Sequence, residues 1–228
     1  MYLVDLDSVL DDNKSWVYNN LSDLYSDQGK LKEAEEIYER ALRGSEKALG
    51  PDHTSTLDTV HNLGLLYSKQ GKLKEAEEMY KRALRGSEKA LGPDHTSTLD
   101  TVNNLGILYK NQGKLKKAEE IYERALRGKE KALGPDHTST LDTVNNLGLL
   151  YSDQGKLKEA EEMYERALRG YQATFGLNHP RTQTILRNLH ELTTSNMSPA
   201  DQSRPGSRNG RTSRLTSKIK AAFRSKKS

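Results

Sequence analysis

Two sets of side chains in this 228-residue chain have the types needed for bond-making chemistry, and both recur at a fixed step of 42 residues. The first is His53, His95, His137 and His179; the second is the adjacent acids Glu35-Glu36, Glu77-Glu78, Glu119-Glu120 and Glu161-Glu162. Metal binding needs ligands converging on one point at about 2 Å. Equivalent atoms in neighbouring helical repeats stand roughly 8–10 Å apart instead. A catalytic carboxylate pair needs a cleft and a perturbed pKa, and glutamates repeating along a helix face are expected on a solvated, convex surface. There is no Cys, which removes thiol nucleophiles, thiolate metal sites and disulfides together. The histidines are expected to shape and cap the links between repeats. No residue is assigned a catalytic role, no metal or cofactor is implied, and the chain reads as a non-enzyme.

A third set suits recognition. Asn20, Asn62, Asn104, Asn146 and Asn188 also stand 42 residues apart. Asn is a mediocre helix former, so five copies on one face need compensation. One reading is a ladder of amides, each able to donate to and accept from an extended peptide backbone. The other is a duplicated Asn that bonds only within its own repeat. Beside this column runs a second one, Asn19, His61, Asn103, Asn145 and Arg187, and Lys69 and Lys110 lie further along their helices. These twelve residues are the candidate peptide-binding groove. Asp23 and Asp27 near one end and Arg187 near the other would orient a peptide with one basic and one acidic end.

The elements that must position these residues follow from the period. Gly50-Pro51-Asp52-His53 returns at 92–95 and 134–137, with a worn copy at 176–179, and residues 56–97 and 98–139 are identical at 34 of 42 positions. Each unit reads as two helices. Over Thr56–Gln70, Leu57, Val60, Leu63, Gly64 and Tyr67 fall at helical spacing, and Ser55 with Asp58 suggests a capping box. Gly71 suits a left-handed position after that helix. From Leu73 to about Leu91, Leu73, Ala76, Tyr80, Ala83 and Leu84 make one apolar stripe, with pairs such as Glu78–Arg82 outside it. Gly64 and Ala76 would let the two helices approach closely, and Tyr67 and Tyr80 would supply bulk between units.

These residues resemble the tetratricopeptide repeat. Val60, Leu63, Gly64, Tyr67, Ala76, Tyr80 and Ala83 match its pattern in order and spacing, and so do Val102, Leu105, Gly106, Tyr109, Ala118, Tyr122 and Ala125. The set Val144, Leu147, Gly148, Tyr151, Ala160, Tyr164 and Ala167 matches too, while Tyr18, Leu21, Ser22, Tyr25, Ala34, Tyr38 and Ala41 departs by Ser for Gly. The 42-residue step is similar to the kinesin light chain class of this repeat, also seen as C-terminal arrays of fungal nucleotide-binding receptor-like proteins. The resemblance implies an all-α, right-handed α-α superhelix, or solenoid, of about four repeats (14–55, 56–97, 98–139 and 140–181) with a capping helix at 182–192. It implies a scaffold that binds a protein or peptide in a concave groove, with an Asn of each first helix in ligand contact. Only thirteen residues precede the first repeat and no long heptad region is among them, which argues against a kinesin heavy chain partner. No GxxxxGK[ST] phosphate loop is present.

Charge divides the chain. Residues 193–228 hold nine Lys/Arg and one acid, a net of +8, while residues 1–192 hold 27 basic and 31 acidic residues, a net of −4. The sequence pI near 9.0 thus describes the tail. The tail, rich in Ser, Arg, Lys and Gly, is expected to be disordered. Its Leu215, Ile219, Ala222 and Phe223 lie among basic residues, which raises the alternative function: association with nucleic acid or an anionic membrane surface, with the array as a rigid spacer. Residues 1–13 are expected to cap the array together with Trp16. Lacking an apolar run of about 18 residues and a basic leader, the chain is expected in the cytoplasm, or in the nucleus through the tail.

Overall fold

The computed structural model describes residues 15–195, with side chains from Val17 to Thr194. The expectations for residues 1–13, the Trp16 side chain and residues 196–228 lie outside the described residues. Those described form helices and links: α1 (Ser15–Asp27), α2 (Leu31–Leu49), α3 (Thr54–Lys69), α4 (Leu73–Ala90), α5 (Thr96–Asn111), α6 (Leu115–Leu133), α7 (Thr138–Asp153), α8 (Leu157–Phe175) and α9 (Pro180–Ser195). Helix α9 starts before residue 182 and runs past 192, so its last turn takes in three residues that composition alone gave to the tail.

The chain divides into two compact units between Ala132 and Leu133. In the first unit α1 pairs with α2 and α3 with α4, and α2 and α4 each pack on the first helix of the following pair. In the second unit α7 pairs with α8, and α9 packs on both. Ile185, Leu186, Leu189 and Leu192 of α9 are buried, as the apolar stripe requires.

Small residues set the spacing within each pair. A Cβ built on Gly64 would stand 2.9 Å from the Tyr80 ring, and one on Gly106 or Gly148 would stand 2.7 Å from Tyr122 or Tyr164. Carbon atoms normally settle at about 3.5–4.0 Å, so each ring occupies the place of the missing side chain. Tyr80 therefore fills its own pair, not the space between units as its spacing had suggested. A second glycine contact completes the pair. Gly86 and Gly128 on second helices lie under Leu57 and Leu99, and Gly170 under Leu141, where a Cβ would come within 2.3–2.4 Å of a leucine methyl.

The pair's turn is closed by backbone bonds. Gly71 (φ 76°) donates to Ser68 at 3.2 Å and Lys72 donates to Tyr67 at 2.9 Å. This is the Schellman arrangement that a glycine in the left-handed region permits. Lys72 then lies 5.2 Å from the Tyr67 ring centre, an arrangement repeated by Lys30 on Tyr25, Lys114 on Tyr109 and Lys156 on Tyr151.

Candidate functional site

The links between repeats are built around the periodic histidines. His53 is the N-cap of α3, and its Nδ1 accepts the Ser55 N–H at 3.2 Å. His95 and His137 cap α5 and α7 in the same way, and His179 accepts from Arg181 at 3.2 Å. The capping role expected of the histidines holds, but the capping box on Ser55 does not: the helix begins two residues earlier, at Thr54, and Ser55 supplies the N–H. Thr56 locks the same link by donating to the Gly50 carbonyl at 2.8 Å, as Thr98 does to Gly92 and Thr140 to Gly134.

On the first unit's first helices the two polar columns interlock. Asn104 Nδ2 lies 3.2 Å from His61 Nε2, and His61 Nδ1 lies 3.0 Å from Thr101 Oγ1. Thr101 in turn donates to Ser97 at 3.1 Å. The chain of donors closes if the Asn104 amide donates to Nε2 and the imidazole carries its proton on Nδ1. Burial lowers the His61 pKa, with Asp100 opposing, which agrees with that neutral form. One repeat earlier, the Thr59 hydroxyl lies between Asn19 Oδ1 at 3.2 Å and Ser55 O at 3.1 Å. In the second unit Asn188 donates to Asn145 at 3.2 Å.

Two of the asparagines thus bond across repeats. Asn104 and Asn188 bond to the preceding repeat, so they are neither open to a ligand at that donor nor confined to their own repeat. Asn62 and Asn146 are half-buried, Asn103 is buried and Asn20 is exposed. Asn62 makes no side-chain hydrogen bond among the described residues. Lys69 reaches back to Ser26 at 3.0 Å and Asp27 at 3.6 Å, and Lys110 is half-buried. Arg187 is exposed and lies 3.3 Å from Thr184 Oγ1. The acidic end of the expected charge gradient is largely tied up: Asp27 meets Lys69, and Asp23 accepts the Tyr38 hydroxyl at 2.5 Å. Burial and that bond push the Tyr38 pKa up.

The paired glutamates divide into two roles that the sequence did not separate. Glu36 and Glu78 are exposed, as expected of a convex face. Glu35 and Glu77 are not: their side chains are 20% and 16% accessible. Glu35 accepts Gln70 at 2.9 Å and Lys72 at 2.7 Å, and Glu77 accepts Gln112 at 3.1 Å and Lys114 at 3.0 Å. Gln70 and Gln112 also donate to the Leu31 and Leu73 carbonyls. Each of these glutamates ties its helix to the turn of the following repeat. Arg82 likewise passes over Glu78 and meets Glu46 of the preceding repeat at 2.5 Å, as Arg124 meets Glu88. The signal available in sequence is the Gln-Gly-Lys that recurs at 70–72, 112–114 and 154–156.

Residue types that break the period carry further contacts. Lys129 stands where other second helices carry Ser45 and Ser87, is 2% accessible, and pairs with Asp100 at 2.7 Å. In the second unit Tyr171 donates to Asp142, which also receives Arg181 through both oxygens at 2.9 Å.

The open positions on the first helices are mostly polar, among them Asp58, Lys69, Asp100 and Asn111, but one aliphatic position on each of α3, α5 and α7 also stays at least partly open. Leu57, Val60, Leu63 and Leu66 of α3 are buried, yet Leu65 is 37% accessible, and Ile107 and Leu149 at the same repeat position are half-buried. Among the described residues no helix is long and apolar enough to cross a membrane.

The tetratricopeptide repeat model matches residues 13–89, 70–131, 97–173 and 139–189. Two crystal structures of a Podosopora anserina protein, described as a putative kinesin light chain with nearly identical TPR-like repeats, resemble the chain. One is 23% identical, with a TM-score of 0.76 over 95% of this chain and 98% of that one. The other, a point variant of the same protein, is 24% identical, with a TM-score of 0.74 over 93% and 96%. BtubC (BKLC) from P. vanneervenii is 24% identical, with a TM-score of 0.67 over 88% of this chain and 78% of that one. These likenesses establish the fold. No curated protein sequence matches the chain.

Proposed function

The chain belongs to the tetratricopeptide repeat family, and from that premise we propose that it is a non-catalytic scaffold holding a peptide or protein partner against its first helices. One observation carries this reading. Each first helix from α3 to α7 buries four aliphatic side chains and leaves a fifth, Leu65, Ile107 or Leu149, at least partly open beside half-buried amides. A partly open aliphatic side chain at the same position of each of these helices gains by burial against an apolar side chain of a partner. The Asn62 amide offers a donor and an acceptor to a partner backbone, while Asn104 and Asn188 brace the repeats.

Affinity capture from cell extract tests this. The double variant Leu65→Glu and Ile107→Glu changes one exposed and one half-buried position, and its thermal unfolding shows whether it stays folded like the parent chain. Proteins held by the parent are expected to be lost about tenfold or more with the variant. Equal capture by a folded variant refutes the proposal.

A further inference from the structure

Asp58, Asn62 and Leu65 follow one another at steps of four and three residues on α3, so they share a helix face. The same register holds Asp100, Asn104 and Ile107 on α5, and Asp142, Asn146 and Leu149 on α7. What distinguishes α3 is how little the protein itself uses the polar members. Asp100 is neutralised by Lys129 at 2.7 Å, and Asp142 by Arg181 at 2.9 Å with Tyr171 beside it. Ser87 takes the place of Lys129 and Tyr171 in the α4 sequence, and Asp58 has no hydrogen bond or ion pair among the described residues. Asn104 is bonded to His61, whereas Asn62 is bonded to none of the described residues.

Asp58 is exposed, yet desolvation by its surroundings raises its carboxyl pKa, with His53 working against it. A carboxylate in that condition gains most from a cationic donor, because charge-assisted bonds are about twice as strong as neutral ones. A peptide backbone over Asn62 and an apolar side chain over Leu65 would complete the contact.

We propose that α3 carries a cation-accepting recognition site, in which Asp58 takes a Lys or Arg side chain of an extended partner peptide, Asn62 bonds its backbone and Leu65 receives an apolar side chain. The site rests on the first-helix face being the binding face and specifies its ligand chemistry. Seven residues of helix separate Asp58 from Leu65 by about 10 Å. An extended peptide rises about 3.3 Å per residue, so the basic and apolar residues stand about three positions apart.

The test is selection of a random peptide library on the full chain, followed by fluorescence anisotropy with the recovered peptides. Lys or Arg about three positions from Leu, Ile or Phe is expected among them. Asp58→Asn, nearly isosteric, is expected to weaken them about 10- to 100-fold without lowering the unfolding temperature. Ser87→Lys, which gives Asp58 an internal partner as Lys129 does for Asp100, is expected to weaken them similarly. If Ser87→Lys does not fold, Asp58→Asn alone decides. Peptides that are lost on Leu65→Glu but bind Asp58→Asn unchanged overturn the cation site and leave the scaffold standing. Peptides indifferent to both Leu65→Glu and Ile107→Glu overturn the scaffold face itself.

Discussion

Glu77 offers a direct measure of how strongly one repeat is tied to the next. Its carboxylate accepts Lys81 at 2.7 Å from its own helix, and Lys114 at 3.0 Å and Gln112 at 3.1 Å from the following repeat. The Tyr109 hydroxyl lies 3.4 Å away. Burial by itself would raise the Glu77 pKa, but the bonds from Lys81, Lys114 and Gln112 outweigh it and hold the pKa at about 2, against 4.5 for an ordinary glutamate. A depressed carboxylate contributes stability in full above the unfolded value of 4.5, and loses it as pH falls toward the folded value of about 2. At about 1.4 kcal/mol per unit the whole shift would correspond to roughly 3 kcal/mol. Lys81 and Lys114 are 48% and 43% accessible, so solvent screening reduces the expected contribution to about 1–2 kcal/mol. Glu77→Gln should therefore cost about 1–2 kcal/mol at pH 7, or roughly 2–8 °C in a chain of this size. Urea unfolding followed by circular dichroism, for both proteins from pH 7 to pH 2, measures the difference. It should shrink as pH drops below 4.5, and shrink at pH 7 in 1 M salt. A constant gap across the pH range would assign the effect to packing, and no gap at any pH would show that the clamp contributes nothing; either refutes the electrostatic argument.

Two further expectations concern packing and protonation. Gly106→Ala places a methyl 2.7 Å from the fully buried Tyr122 ring, so overpacking of about 1–3 kcal/mol should exceed the propensity gain of about 1 kcal/mol. Thermal unfolding should register a net loss, and Tyr122→Leu in the same chain should recover part of it; a more stable single variant would contradict the close approach. His61 should titrate below 6.5 by NMR, because burial disfavours its charged form. The stability it contributes is complete above 6.5 and declines as pH falls through its folded pKa, and His61→Asn should remove that part of the pH dependence. A midpoint at or above 6.5 would refute the neutral, Nδ1-protonated assignment.

The sequence was legible where neighbours lie within one repeat. The 42-residue step, the helix pairs, the Gly64 approach, the glycine at the turn and the capping histidines could all be read from types and spacing. What could not be read was which copy of a residue a side chain reaches. The four-residue spacing pairs Arg82 with Glu78, but Arg82 meets Glu46 thirty-six residues back. The helical pattern puts Glu35 and Glu77 in solvent, but they receive Gln and Lys from the following turn. Nearly identical copies make this ambiguity unavoidable. A partner in the same repeat and its counterpart in the next have the same residue type, so the pattern carries no preference, and only the stagger of stacked helices decides.

The same near-identity locates the information that distinguishes one face from another. Repeated positions build the array, and at such positions every first helix presents the same residue type. The eight differences between residues 56–97 and 98–139 include His61 against Asn103 and Ser87 against Lys129. The first gives Asn104 a partner in the preceding repeat, and the second gives Asp100 a partner in its own. Both act on first-helix groups whose type does not change, Asn104 matching Asn62 and Asp100 matching Asp58. The Ser87/Lys129 difference alone thus determines whether the unchanged aspartate, Asp58 or Asp100, has an ion-pair partner in its own repeat. On the proposed reading, specificity in an array of this kind moves from repeat to repeat without altering the residues that make the contact.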